Sequence, residues 1–268
     1  MELVSQHNHT NMTGHGYAPI DELVAHAHEL GMTNLAITEH YPLSKAIDPT
    51  NFVSLSEERL PEYLSALHAV REQYSDMEIV IGCELDWLGD DEDRVFKPYE
   101  FDEFEHILGS VHFLDLWPFD DPEQAGHWDE VGPDEIWRRY FEVWIEAATS
   151  DMPFTAMAHP DLVKKFGYWP SFNPLPLYKE AAEALASTDR MIEINTSGAT
   201  YACKEMFPAP ALLTEFRRAG VPCTIGSDAH KVEHVDRGIL EGYKYAYEAG
   251  YRELTLVVPG GDRRMLVL

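Results

Sequence analysis

The sequence predicts an α/β protein in which helices surround a parallel sheet or barrel. Short apolar runs alternate along the chain with amphipathic stretches of helical periodicity, which is typical of repeated strand–helix units. Successive candidate strands also end in histidine or acidic residues, and the carboxyl ends of parallel strands form the functional site in such folds. The length of 268 residues fits one large domain or two small ones, and no linker or low-complexity segment divides the chain.

Each predicted strand is a short apolar run, and all but the last are followed by residues that can bind a metal or contact one of its ligands. The predicted strands cover residues 3–4, 34–38, 78–83, 107–111, 154–158, 191–194, 221–225 and 254–258. The first seven lead, in order, into His7 and His9, His40, Glu84, His112, His159, Asn195, and Asp228 with His230. Placement at seven successive strand ends is unlike a chance distribution.

The predicted helices lie between these strands. Residues 19–30 show the end signals most clearly, because Pro19 suits a first turn, Asp21 suits the positive end of the helix dipole and Gly31 suits a C-terminal cap. The other predicted helices cover residues 56–74, 134–150, 177–186, 209–219 and 235–249.

Residues 114–132 form the longest stretch without regular periodicity. A loop of this length in a compact domain is usually functional and often covers a site. Because it directly follows His112, we expect it to leave the sheet at the edge that carries the site and to influence substrate choice. The aromatic side chains in this stretch and directly before it are expected to pack over a small organic group; these are Phe113, Trp117, Phe119 and Trp128.

The composition excludes several classes of function. With 47 acidic and 20 basic residues the formal net charge is −27, which disfavours binding to nucleic acid or to an anionic membrane surface. We find neither a run of about 18 apolar residues nor a signal-peptide pattern, so we expect a cytoplasmic protein. The three cysteines are far apart and are expected to be reduced thiols. Nothing in the sequence indicates an oligomeric state.

Seven histidines and two carboxylates lie at or near the predicted strand ends. Neutral imidazoles and carboxylates are ligands for zinc, manganese and iron, and the same set accepts any of the three. Because the set exceeds the needs of one tetrahedral zinc ion, the sequence predicts two or three ions with a bridging carboxylate. The predicted ligands are His7, His9, His15, His40, Glu84, His112, His159, Asp228 and His230.

The other histidines have ordinary interpretations. His26, His28, His68 and His106 fall within predicted helices or at a strand start and are expected to be structural or solvated. His127 and His234 are intermediate cases, because both fall on loops expected on the side of the site. The sequence contains neither a Gly-x-Ser-x-Gly nucleophile motif nor a Walker-type phosphate loop. The predicted chemistry is therefore attack by metal-activated water without a covalent protein intermediate.

These motifs resemble the polymerase and histidinol phosphatase (PHP) family, and the branch they resemble most is the monofunctional L-histidinol phosphate phosphatases. The resemblance covers nearly the whole chain. The segments that carry it are residues 7–10, 37–43, 82–86, 109–113, 158–162, 193–196 and 226–230, with residues 117–121 and 137–142 adding to it.

The resemblance implies one PHP-type domain over residues 1–268, a distorted (β/α)7 TIM-like barrel and three divalent ions that hydrolyse a small phosphorylated substrate. It implies catalytic roles for Glu84, Asp228 and His230, with Glu84 bridging the first two ions. The implied ligand sets are His7, His9, Glu84 and Asp228; Glu84, His112 and His159; and His15, His40 and His230.

One position departs from the family pattern. Histidinol phosphatases usually carry a leucine and a phosphate-binding arginine where this chain has Ala199 and Thr200, and threonine lacks the bidentate guanidinium. Lys204 and Lys164 are candidate replacements, and Asn195, Trp117 and Phe119 complete the predicted substrate contacts. The departure leaves open a sister phosphoesterase that acts on a sugar phosphate or a cyclic phosphodiester.

Three further interpretations compete with this one. An amidohydrolase-type barrel also begins with His-x-His, but that class typically has a lysine at its fourth strand, where this chain has His112. A non-catalytic metal-binding module would retain the ligands and use the loops for a partner. A nuclease or polymerase-proofreading role is disfavoured by the net charge of −27 and by the lack of a polymerase region.

Overall fold

The computed structural model describes residues 2–89 and 101–268, and its centre is a sheet of seven strands. The strands of the described residues are β1 (Leu3–Ser5), β2 (Met32–His40), β3 (Glu78–Asp86), β4 (His106–Ser110), β5 (Phe113–Leu114), β6 (Trp117–Pro118), β7 (Ala156–Met157), β8 (Met191–Asn195), β9 (Cys223–Gly226), β10 (Glu253–Val257) and β11 (Arg263–Val267). The seven strands of the central sheet are all parallel and follow the order β1-β2-β3-β4-β7-β8-β9.

The first and last strands of the sheet approach each other and close it into a barrel. Gln6 donates its backbone N–H to the carbonyl of Ile225 at 2.8 Å, and Asp228 donates to the carbonyl of His7 at 2.9 Å. Gly226 makes this approach possible, because a Cβ atom there would lie 2.4 Å from His7 Cβ. The seven-stranded barrel predicted from the family resemblance is therefore confirmed.

The helices pack around the barrel, with the main apolar core between the two layers. They are α1 (Ile20–Glu29), α2 (Leu60–Gln73), α3 (Gly126–Val131), α4 (Pro133–Thr149), α5 (Leu175–Ala186), α6 (Pro210–Ala219) and α7 (Ile239–Ala249). No helix in the described part of the chain has both the length and the apolar character needed to cross a membrane.

The barrel interior is filled beneath the site. Seven apolar residues, mainly from the barrel strands, form a separate buried cluster: Ala36, Val80, Leu108, Ala156, Ala158, Met191 and Val257. Val257 belongs to β10, which pairs with β11 in an antiparallel hairpin outside the barrel sheet. The hairpin therefore contributes to the interior without adding a strand to the barrel.

The segment at residues 114–132 is more regular than the sequence predicts. β5 and β6 form a short hairpin, and α3 follows it, ending at Gly132 with φ +93°. Trp128 is the buried residue of α3. Six residues are too few to show helical periodicity, which explains why α3 was not predicted from the sequence.

Candidate active site

The polar residues at the strand ends converge at one mouth of the barrel. His7 Nε2 lies 2.9 Å from His9 Nε2, and the two atoms lie 3.1 and 3.2 Å from Glu84 Oε2. Three sets of residues each bring their potential ligand atoms within 4.8 Å of one another. The sets are His7, His9 and Glu84; His9, His40 and His230; and His40, Glu84 and His112.

Glu84 occupies the centre of this arrangement. Its Oε2 atom faces His7 and His9, whereas its Oε1 atom lies 2.9 Å from His159 Nε2 and 3.6 Å from His112 Nε2. Burial disfavours its charged form, but the neighbouring imidazoles outweigh burial and hold the pKa of Glu84 well below its usual value. Oε2 also lies 3.4 Å from His40 Nδ1, so the two carboxylate oxygens face two different sets of imidazoles.

Asp228 closes the β9 side of the mouth. Its Oδ1 atom lies 3.3 Å from His9 Nε2, while its Oδ2 atom accepts hydrogen bonds from Asn195 Nδ2 and Ser197 Oγ, both at 3.2 Å. Asp228 adopts a φ of +51°, a left-handed conformation that is uncommon for a residue other than glycine. Asn195 also donates to Glu193 Oε2 at 3.1 Å, so its amide orients two carboxylates.

His15 reaches the mouth from the loop after β1. Its ring lies 5.1 Å from that of His40 and 4.9 Å from that of His230, measured between centroids. His15 Nδ1 is 3.0 Å from the carbonyl oxygen of Phe52, to which it donates, so Nε2 is left to face the other rings. The structure thus brings all nine predicted ligand residues together.

Three buried carboxylates contact the Nδ1 atoms of predicted ligand histidines. The sequence analysis did not assign these carboxylates to the site. Glu193 Oε1 lies 2.8 Å from His7 Nδ1, Glu39 Oε1 lies 3.2 Å from His9 Nδ1, and Asp86 Oδ1 lies 2.7 Å from His112 Nδ1. Such partners fix the tautomer and orientation of metal-binding histidines. Their signal in the sequence is an acidic residue inside an otherwise apolar strand.

The donor atoms are arranged to suit a cation. Nδ1 of His7 and of His9 each donates to a carboxylate, and the facing Nε2 atoms lie 2.9 Å apart, beside the oxygens of Glu84 and Asp228. Burial opposes protonation of His7, but the surrounding carboxylates outweigh it and raise the pKa of His7 to about 10, so this position favours a positive charge. A divalent ion can supply that charge in place of the Nε2 proton, which leaves the Nε2 lone pairs to bind the ion. Lone pairs so close together, with two carboxylates beside them, fit divalent ions coordinated by nitrogen and oxygen.

The predicted substrate-binding lysines do not reach the mouth. Lys164 is fully buried, and its Nζ contacts Asp161 Oδ2 at 3.0 Å and the carbonyl of Met206 at 2.8 Å. Lys204 is exposed, and its Nζ lies 3.4 Å from the carbonyl of Thr200. Neither lysine therefore places its charge beside the histidine cluster in this structure.

The predicted aromatic contacts divide in a similar way. Phe119 is fully buried, with its ring 5.4 Å from that of Tyr140, so it is part of the hydrophobic core. Trp117 remains partly exposed and packs edge-on against His127 and Phe119. Of these two aromatic residues, only Trp117 has surface available to a substrate in this conformation.

A pair of charged residues that the sequence analysis did not assign lies beside the site. Lys165 Nζ is 2.8 Å from Asp120 Oδ2 and donates to the Asp120 carbonyl at 3.0 Å. Asp120 belongs to the segment that follows His112, and Lys165 belongs to the segment that follows His159, so the pair joins two segments that leave the barrel at its mouth. The sequence shows only adjacent lysines at 164 and 165 and does not indicate which one faces the mouth.

Comparison with known proteins places these features in a family. The family model described as the PHP domain matches residues 5–197. A protein of Deinococcus radiodurans named "Probable histidinol-phosphatase" is 30% identical over 255 residues, covering 94% of this chain and 96% of the relative. The histidinol-phosphatase of Lactococcus lactis is 23% identical over 243 residues, which are 88% of this chain and 86% of the relative.

The fold is also shared with a solved structure. The crystal structure of histidinol phosphate phosphatase from Lactococcus lactis, complexed with zinc, L-histidinol and phosphate, superposes with a TM-score of 0.79 at 21% identity. The superposition covers 98% of this chain and 99% of that chain. The similarity in fold therefore extends over nearly the whole chain.

Proposed function

This chain belongs to the PHP domain family and is a metal-dependent phosphoesterase, and from that premise we propose that it hydrolyses L-histidinol phosphate. The observation that carries the proposal is the convergence of seven imidazoles around Glu84 and Asp228 at the mouth of the barrel. The Deinococcus radiodurans relative, which spans 94% of this chain and is named "Probable histidinol-phosphatase", supports the choice of substrate.

We propose three ions of zinc, manganese or iron, held by the nine converging residues. Ions bound there would lower the pKa of water and neutralise charge on the phosphoryl oxygens. The first would be held by His7, His9, Glu84 and Asp228, the second by Glu84, His112 and His159, and the third by His15, His40 and His230.

The residues of the chain hold this arrangement in place. Glu84 directs its two oxygens to two different sets of imidazoles, which suits a carboxylate that bridges two ions. Asn195 fixes the other carboxylate, Asp228, by donating to its Oδ2 atom. Glu39, Glu193 and Asp86 keep the supporting Nδ1 atoms protonated, so that the opposite nitrogens face the site.

The phosphate contact requires a cation other than the ones predicted from the sequence. Thr200 is exposed, and its hydroxyl donates to the Ser197 carbonyl at 2.7 Å. Lys164 and Lys204 are engaged away from the mouth. We propose that Lys165, which follows His159 in the segment that leaves β7 at the mouth and pairs there with Asp120, binds a phosphoryl oxygen in their place.

A substrate panel tests the proposal. Phosphate release is measured with L-histidinol phosphate, a sugar phosphate, a cyclic phosphodiester and p-nitrophenyl phosphate, each with added zinc, manganese or iron. We expect L-histidinol phosphate to give the highest kcat/KM. Because Thr200 replaces the arginine of the family pattern, the cyclic diester is the second candidate, since it carries one negative charge where a monoester dianion carries two. A higher kcat/KM for the cyclic diester would overturn the proposed substrate.

A further inference from the structure

The ion pair between Lys165 and Asp120 joins two segments that leave the barrel at its mouth. Both side chains are mostly buried, with exposed fractions of 17% and 18%, and the segments that carry them follow the predicted ligands His112 and His159. The ring of Tyr201 lies 5.1 Å from Lys165 Nζ, so the ammonium group has an aromatic face as well as a carboxylate beside it. The pair therefore holds two opposite charges in contact, one in the segment after β6 and one in the segment after β7.

The acidic partner is held firmly, whereas the basic partner has a flexible stem. Asp120 follows Phe119, which is fully buried and whose carbonyl accepts a hydrogen bond from Trp128 Nε1 at 2.9 Å. Lys165 carries its charge on four methylene groups and can change direction without moving the backbone. An incoming phosphate can therefore draw Lys165 away, while Asp120 stays where it is.

Separation of the two residues has a cost that depends on the substrate. Burial disfavours the ionised form of Asp120, but Lys165 outweighs it and keeps the pKa of Asp120 below its usual value, so the carboxylate is charged. A phosphate that takes Lys165 leaves this carboxylate mostly buried without its partner, which is strongly unfavourable. A positively charged nitrogen on the alcohol portion of the substrate would restore the lost interaction.

We propose that Asp120 is a specificity-determining residue that selects phosphomonoesters whose alcohol carries an ammonium group. The substrate exchanges one internal ion pair for two new ones, phosphate with Lys165 and ammonium with Asp120. This inference rests on the proposed function, and it assigns to Asp120 the discrimination against phosphate esters that lack a cationic nitrogen.

The experiment compares L-histidinol phosphate with its deaminated isostere, 3-(imidazol-4-yl)propyl phosphate, at pH 8, where the imidazole is neutral. The native enzyme is expected to prefer the ammonium-bearing ester by about ten- to hundredfold in kcat/KM, as for a charge-assisted contact. Asp120→Asn should reduce this ratio to near one, and Asp120→Glu should restore part of it. A merely structural role would lower both rates equally and leave the ratio unchanged, which would overturn the inference.

The matched control is Asp115→Asn. Asp115 belongs to the same segment and pairs with Arg139 at 2.9 Å, but on the exposed surface, so its loss should leave the ratio as it is in the native enzyme. If L-histidinol phosphate is not hydrolysed, the proposed function fails, and the same ratio is measured with phosphoethanolamine and propyl phosphate. A reduced preference for phosphoethanolamine in Asp120→Asn would then support the inference on Asp120. An unchanged preference would overturn it.

Discussion

The two sides of the barrel mouth are built from different kinds of structure. From β1 to β3 the functional groups extend from or directly follow buried strands, and His7, His9 and Glu84 are almost completely buried. On the opposite side, Asp120 and Lys165 belong to connecting segments after β6 and β7 and remain partly exposed. The first side is built from the barrel strands themselves, whereas the second is built from segments that connect the strands to the helices.

This difference suggests a division of labour. Metal donors must be held within tenths of an ångström, which strands and buried hydrogen-bond partners achieve better than loops. Loops on a rigid scaffold commonly supply the contacts that distinguish substrates. We therefore expect substitutions on the strand side to impair hydrolysis of every substrate equally, and substitutions on the loop side to change the ranking of substrates.

Glu84→Gln should have the largest effect. One oxygen of the native carboxylate faces His7 and the other faces His159. The glutamine amide has a single, uncharged oxygen, so it cannot present a negatively charged oxygen to both histidines. We expect kcat/KM to fall roughly thousandfold for all substrates, equivalent to several kcal/mol of transition-state stabilisation, together with a lower metal content by elemental analysis. Glu78→Gln, at the opposite end of β3, is the control. Near-normal turnover in Glu84→Gln would contradict the bridging role.

Asp86→Asn should have a smaller effect of the same kind. Asp86 contacts no other predicted ligand and acts through His112 Nδ1, 2.7 Å away. Loss of such a supporting carboxylate typically lowers metal affinity or activity by about 10- to 100-fold. Metal titration followed by assays on two substrates would measure both effects, with the exposed Asp102→Asn as control. A change in the ratio of the two substrates would show that Asp86 belongs functionally to the loop side.

The strand side was also the part that the sequence predicted well. An apolar run followed by His40, Glu84 or His112 predicts a strand. It also predicts where the polar residue lies, because the carboxyl ends of parallel strands meet at one edge of the sheet. The structure agrees, with boundaries that differ by a few residues: the strand predicted at 34–38 is observed as β2, Met32–His40.

The loop side could not be predicted in the same detail. Lys164 and Lys165 are adjacent in sequence, yet Lys164 points into the core toward Asp161 and Lys165 points to Asp120. The direction of each side chain depends on the short 3-10 turn Leu162–Lys164, which has no periodic signal in the sequence. Phe119 is likewise predicted from the sequence to contact the substrate, whereas in the structure it is buried against Tyr140. That long-range packing has no signal in the local sequence.

Lys165→Met tests the loop side directly. If Lys165 binds a phosphoryl oxygen, its loss should lower kcat/KM by about ten- to hundredfold, mainly through KM, because a charge-assisted hydrogen bond is removed. The metal content should stay at the native level. Lys164→Met is the adjacent control, and it should lower the free energy of unfolding by about 3–5 kcal/mol because it leaves Asp161 buried without its partner. Equal kinetic effects of the two substitutions would contradict the distinction between them.

The smallest expected effect is that of Thr200→Arg, which places a guanidinium where the family pattern has one. Position 200 is exposed, so solvent screening reduces a new charge contact to below about 1 kcal/mol, and Lys165 already supplies one cation. We therefore expect kcat/KM for L-histidinol phosphate to rise by only about two- to fivefold in the native background. In the Lys165→Met background the gain should be larger, because the arginine then replaces a missing charge, and a double-mutant cycle gives the coupling between the two positions. No gain in either background would mean that position 200 does not contact the phosphate in this enzyme, and that the loop side recognises its substrate without it.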